Sequence, residues 1–136
     1  MADYFFYGSL MDADVLSAVL GKRVPPTRFR PARLVGHRCL CNRRDEFPVI
    51  VADPGTDVAG VLVRGIGAAA ARRLARYEGP GYALAKRSVA TATGRIDAHV
   101  FVPVRPGISI GKAWNFQAWR RRHKRRLLRA LKPTEG

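Results

Sequence analysis

Tyr4-Phe5-Phe6-Tyr7-Gly8-Ser9-Leu10 compresses an apolar strand and an abrupt turn into a few residues. Consecutive aromatic side chains favour extended backbone and make a run too apolar for a wet surface. Gly8 and Ser9 break the run, and Asp12 is positioned to cap a helix over Ala13 to Leu20 that Gly21 closes. A strand that feeds a Gly/Ser turn ahead of a helix leaves backbone N–H groups without partners, and such a turn can hold a carboxylate or phosphate. The same stretch also reads as a core strand with a tight turn and no further role.

Working outward, Pro25-Pro26 stops regular structure, and Thr27 to Leu34 reads as an irregular extended passage. Val35 to Cys41 alternates as a strand, with Val35, Cys39 and Cys41 on one parity, and Asn42 to Glu46 is turn-like. Phe47 to Ala52 resumes as a strand. Asp53-Pro54-Gly55-Thr56 signals a turn, and Val58 to Val63 forms another short strand in which Gly60 marks close packing or a bulge. Ala68 to Tyr77 is a helix with Ala70, Leu74 and Tyr77 on one face, and Glu78-Gly79-Pro80-Gly81 ends it. Tyr82 to Thr91 and Ile96 to Val104 pair as a hairpin about Gly94, and Pro103 to Gly111 is a loop. The last helix begins at Trp114, with Phe116, Trp119, His123, Leu127 and Leu131 in one stripe. The pattern predicts an α+β chain whose antiparallel or mixed sheet curls around a core.

A chain of 136 residues with 47% apolar content is long enough for one domain with a real core. No apolar run approaches the roughly 18–20 residues that span a bilayer. An early Asp3 and no basic n-region argue against a signal peptide. Cys39 and Cys41 stand two apart on a strand, roughly 6–7 Å along one face, which is poor disulfide geometry. Without a matching His/Cys set they make no structural zinc site. They read as reduced, half-buried thiols in a cytoplasmic protein.

The net charge of +15 is unevenly spread: nine of the 25 Lys/Arg lie between Lys112 and Lys132, and no acid occurs between Asp97 and Glu135. This divides the chain into a body over 1–111 and a basic C-terminal helix with a short tail over 112–136. Arg120, Arg121, Arg122, Lys124, Arg125 and Arg126 read first as a solvated face. Their density is also enough for weak, salt-sensitive binding to RNA or an anionic surface. Trp114 and Trp119 share the apolar stripe and read as packing anchors rather than base-stacking platforms.

Glu78 is the candidate for chemistry. It is the only acid between Asp57 and Asp97, in a region carrying Arg72, Arg73, Arg76, Lys86 and Arg87. A carboxylate where a helix breaks into a Gly-Pro-Gly turn can point into a cleft. Burial there raises its pKa toward the range useful for proton transfer, and a nearby Arg lowers it. The plain alternative is a helix-terminal Glu paired with an Arg.

Taken together, several of these stretches resemble the gamma-glutamylcyclotransferase-like family, which includes gamma-glutamylamine cyclotransferases and plant avirulence-induced relatives. They are the Tyr-Gly-Ser-Leu turn after an aromatic strand, Val35-Gly36, Phe47-Pro48, and Val58-Ala59-Gly60-Val61-Leu62. To these add Leu74-Ala75-Arg76-Tyr77-Glu78-Gly79 with Tyr82 beyond it, and the hairpin carrying Val89 and Phe101. The likeness spans roughly residues 4–104. It implies a small mixed β-barrel with flanking helices. By residue, it implies that Tyr7, Gly8, Ser9 and Leu10 form a loop contacting the glutamyl carboxylate, that Glu78 acts as base and then acid, and that Tyr82 lines the pocket or packs in the core. Ala75 stands where the family motif carries Asp, and Ala83-Leu84-Ala85 where many relatives carry an arginine. The implied reaction closes a small γ-glutamyl amine or peptide to 5-oxoproline and frees the amine, with no cofactor and no metal. The other function class open to the chain is a non-catalytic binding module for nucleic acid or a partner, built on the basic helix.

Overall fold

The aromatic run forms the first strand, β1 (Ala2–Phe6), and it is buried on both faces. Tyr4 and Phe6 join one apolar cluster, while Phe5 and, just past the strand, Tyr7 join a second. Successive side chains of a strand alternate across the sheet, so an unbroken apolar run is what a wall covered on both sides requires. The computed structural model describes residues 1–42, 47–104 and 110–131.

The remaining strands are β2 (Phe29–Asn42), β3 (Pro48–Ile66), β4 (Tyr82–Thr91), β5 (Gly94–Pro103) and β6 (Ile110–Ala113). Three helices accompany them: α1 (Ala13–Leu20), α2 (Ala68–Glu78) and α3 (Phe116–Leu131). Short 3₁₀ turns occupy Ser9–Met11 and Pro26–Arg28. The strand order β3-β1-β5-β4-β2 closes on itself through a β2–β3 pairing, with β6 added at one end of β2. β1 and β5 run parallel and the other neighbours antiparallel, so the small mixed barrel expected from the sequence is the one observed.

Phe5, Leu34, Val58, Leu62, Val89 and Val100 fill the barrel interior. The helices cover its outer face: Val15, Leu16, Val19 and Leu20 of α1, Leu74 of α2, and more loosely Trp119, Leu127, Leu128 and Leu131 of α3. Each fully buried side chain of this size contributes roughly 1.5–3 kcal/mol. Gly60 is a close-packing glycine, because a Cβ there would strike the Phe6 carbonyl oxygen and the Phe5 ring.

Four local readings are corrected. The strand read from Val35 already begins at Phe29, because residues 29 to 35 pair continuously with β3 from Val63 back to Asp57. Asp53–Thr56 does not divide two strands. It is a wide bulge within β3: between Val35↔Asp57 and His37↔Ala52, β2 advances two positions and β3 five. The Thr56 hydroxyl holds the bulge through bonds to the carbonyls of Asp53 (2.8 Å) and His37 (2.9 Å). The end of the loop read over Pro103 to Gly111 belongs to β6, which the sequence signals only by a short run without alternation. The last helix starts at Phe116 instead of Trp114, with the Asn115 side chain accepting from the Ala118 N–H at 2.8 Å. Most of the turn at 42–46, the middle of the loop at 103–111 and the tail after 131 lie outside the described residues.

Candidate active site

Where β1 ends, a cavity of about 720 Å³ opens between the barrel and the helices. Tyr7, Gly8, Ser9, Leu10, Glu78 and Tyr82 all line it. Phe47, Pro48 and Phe101 close the barrel side, Tyr77 stands beside Glu78, and α3 contributes Trp119, His123, Arg126, Leu127 and Ala130.

The loop is shaped by two short backbone bonds, Met11 N–H to the Gly8 carbonyl (3.0 Å) and Asp12 N–H to the Ser9 carbonyl (3.1 Å). They close a 3₁₀ turn whose leading donors have nothing within the turn to bond. Among the described residues, no hydrogen bond takes up the N–H of Gly8, Ser9 or Leu10. Gly8 is needed for a close approach, since a Cβ there would stand 2.8 Å from Pro48 Cγ. Ser9 Oγ lies 2.6 Å from the Tyr77 hydroxyl, which ties the loop to the end of α2. The Tyr7 hydroxyl donates to the Phe101 carbonyl at 2.6 Å, and the Tyr82 hydroxyl to the Pro48 carbonyl at 2.7 Å. Burial, with Tyr82, Glu78 and Cys39 nearby, holds the Tyr7 phenol well above its usual range. Tyr77 is pushed up to about 12 by burial, against the Ser9 bond and with a smaller upward push from Glu78. Both phenols therefore stay protonated and neutral at physiological pH.

Glu78 is the last residue of α2, and the chain leaves it through Gly79 at φ 76°, a left-handed conformation that glycine adopts without strain. Burial raises the Glu78 carboxyl from 4.5 to about 7. The arginines expected to lower it do not reach it. Arg72, Arg73 and Arg76 are exposed, and among the described residues no ion pair involves Glu78. A carboxyl poised near neutrality can accept a proton and return it.

The basic helix is less free than its composition implies. Asp12 caps α1 through the N–H groups of Asp14 (2.9 Å) and Val15 (3.2 Å), and its side chain is only 3% exposed. Arg120 reaches it at 3.2 Å and Lys124 at 2.9 Å, and Lys124 also meets Asp14 at 2.8 Å. Desolvation works against the Lys124 charge, but its bonds to Asp14 and Asp12 outweigh that and raise its pKa. Arg120 and Lys124 thus clamp α3 onto α1, and Arg126 turns to the cavity. Arg121, Arg122 and Arg125 remain on the exposed face.

Trp119 packs against the outer core as expected of an anchor, and it also lines the cavity. The cavity roles of Trp119, His123 and Arg126 were not singled out from sequence. The available signal is an apolar stripe broken by a histidine, and it says nothing about what the stripe docks against. Cys39 and Cys41 are both half-buried thiols outside any disulfide among the described residues, and burial together with Cys41 pushes the Cys39 thiol up to about 12. Among the described residues, no cluster of three or more His, Cys, Asp or Glu could hold a metal, and no helix is long and apolar enough to cross a membrane.

The family model described as gamma-glutamyl cyclotransferase, AIG2-like matches residues 4–121. An Arabidopsis thaliana protein with a solution structure superposes at TM-score 0.70 with 24% identity, over 96% of this chain and 88% of that one. A structure described as a gamma-glutamyl cyclotransferase superposes at TM-score 0.62 with 16% identity, over 99% and 90% of the two chains. An AIG2-like protein from Mus musculus does so at TM-score 0.55 with 16% identity, over 85% and 88%. No curated protein is matched by the sequence.

Proposed function

The chain belongs to the gamma-glutamyl cyclotransferase, AIG2-like family, and we propose that it is itself a gamma-glutamylcyclotransferase. Its substrate is a small γ-glutamyl amine or peptide, which it closes to 5-oxoproline with release of the amine. The observation that carries this reading is Glu78: a carboxyl raised to about 7 by burial, in a cavity shared with a loop whose N–H groups have no partner among the described residues.

The glutamyl end of the substrate occupies the Gly8–Leu10 side, where the loop N–H groups donate to a substrate oxygen, either the α-carboxylate or the γ-carbonyl. Glu78 as the carboxylate takes a proton from the substrate's own α-amine. The amine nitrogen forms a bond to the γ-carbon, the γ-carbon to leaving-nitrogen bond breaks, and Glu78 returns the proton to the departing nitrogen. The nucleophile is intramolecular, so much of the barrier is removed by holding the folded conformer. The reaction so written draws on no cofactor. Incubating the protein with a panel of γ-glutamyl amines and dipeptides and following 5-oxoproline by mass spectrometry tests the reading.

A second reading is supported by Arg121, Arg122 and Arg125, which are exposed and, among the described residues, unpaired. They suit weak, sequence-independent contact with RNA or an anionic surface. A salt titration tests it, because phosphate contacts must weaken steeply as salt rises.

A further inference from the structure

Among the described residues, the formally charged side chains lining the cavity are Glu78 and Arg126. They come from different walls, Glu78 from the end of α2 and Arg126 from α3. Glu78 has its task in the chemistry above. Arg126 has none: no hydrogen bond or ion pair engages its guanidinium among the described residues, whereas Arg120 and Lys124 on the same helix are committed to Asp12 and Asp14. An unengaged guanidinium at a cavity wall is a planar fork of donors whose natural counterpart is a carboxylate.

A cavity of about 720 Å³ falls within the roughly 300–1,000 Å³ of sites that enclose whole small molecules, so it has room for a leaving group besides the glutamyl end. The loop donors and Glu78 serve the glutamyl end, which leaves Arg126 facing what departs. Arg126 is itself exposed, so it stands at the mouth, where the outer part of a substrate would lie.

We propose that Arg126 binds a carboxylate on the departing amine, so that the preferred substrates are γ-glutamyl amino acids and peptides over neutral or cationic γ-glutamyl amines. This inference rests on the cyclotransferase reading and names its substrate class. Arg126 acts as a specificity residue through binding and takes no part in proton transfer. The carboxylate it holds has two possible sources, the departing amino acid or the glutamyl α-carboxylate, and the experiment separates them.

The test compares γ-glutamylalanine with γ-glutamylethylamine, which differ only in the leaving-group carboxylate, by kcat/KM for 5-oxoproline formation. The wild-type protein is expected to favour γ-glutamylalanine about tenfold or more, the scale of one hydrogen bond to a charged group. Arg126→Gln, at an exposed position without partners among the described residues, is expected to keep its unfolding temperature and to bring the ratio close to one, mainly through KM. A wild-type ratio near one overturns the proposal. So does an equal fall for both substrates in the variant, which assigns Arg126 to the glutamyl α-carboxylate. No 5-oxoproline from either substrate, nor from any member of a wider γ-glutamyl panel, overturns the cyclotransferase reading and this inference with it.

Discussion

Ser9 Oγ lies 2.6 Å from the Tyr77 hydroxyl, a contact between residues 68 positions apart. One belongs to the loop after the first strand and the other immediately precedes Glu78. The bond therefore joins the two halves of the candidate site, the donor loop and the carboxylate. Removing it should change geometry more than stability. Ser9→Ala is expected to lower kcat/KM about tenfold while costing about 1 kcal/mol of stability. Tyr77→Phe should behave alike, and the double variant should be little worse than either single one, because both remove the same bond. Steady-state kinetics and urea unfolding of the three variants measure this.

The raised Glu78 carboxyl sets the pH dependence of activity. The base form is the carboxylate, so kcat/KM should rise with pH through about 7 and fall away below it as Glu78 is protonated. The α-amine of the substrate titrates above this range and does not produce the lower limb. A rate profile from pH 5 to 9 on one γ-glutamyl substrate reads it directly.

The same group affects stability with a definite sign. Glu78 holds its proton more tightly folded, near 7, than unfolded, near 4.5. The folded state therefore binds more protons between these values, and wild-type stability falls as pH rises from about 4.5 to about 7 and stays lower above. The full difference is about 3 kcal/mol. Glu78→Gln cannot ionise and escapes this loss, so it should unfold several degrees higher than wild type at pH 8 and close to wild type at pH 4.5. Thermal unfolding followed by circular dichroism at the two pH values tests it.

Asp12 joins three jobs in one side chain: cap of α1, partner of Arg120 and partner of Lys124. Asp12→Ala removes the cap and leaves a partly exposed Lys124 with only Asp14. A loss of about 2–4 kcal/mol is expected, more than for a surface ion pair. Denaturant unfolding gives the value. A cost under 1 kcal/mol would mean that α3 is held by its apolar stripe alone.

What the sequence reveals depends on how local each signal is. The buried strand around Phe5, the Asp12-to-Gly21 helix, α2 and the β4–β5 hairpin are each encoded by neighbouring residues, and all are legible. Asp53-Pro54-Gly55-Thr56 carries every mark of a turn. Whether such residues reverse the chain or bulge outward is decided by the strand opposite, and here β2 runs past without reversing. The roles of Arg120 and Lys124 were hidden for the same reason, since their partners lie at the other end of the chain. Glu78 could be picked out as an isolated acid before a Gly-Pro-Gly break. Its freedom from the surrounding arginines could not be read, because helical spacing does not say which way a flexible side chain turns. The cavity wall from Trp119 to Ala130 appears only when the stripe of α3 is set against the barrel.

The most direct measurement is 5-oxoproline formation by wild-type protein and by Glu78→Gln, on the best substrate of a γ-glutamyl panel, with folding of both checked by circular dichroism. The account predicts equimolar 5-oxoproline and free amine from wild type, and a fall in kcat of about 10²–10⁴-fold in a fully folded variant. Turnover by the variant at the wild-type rate would contradict it, since Glu78 would then be a buried carboxyl with no part in the chemistry.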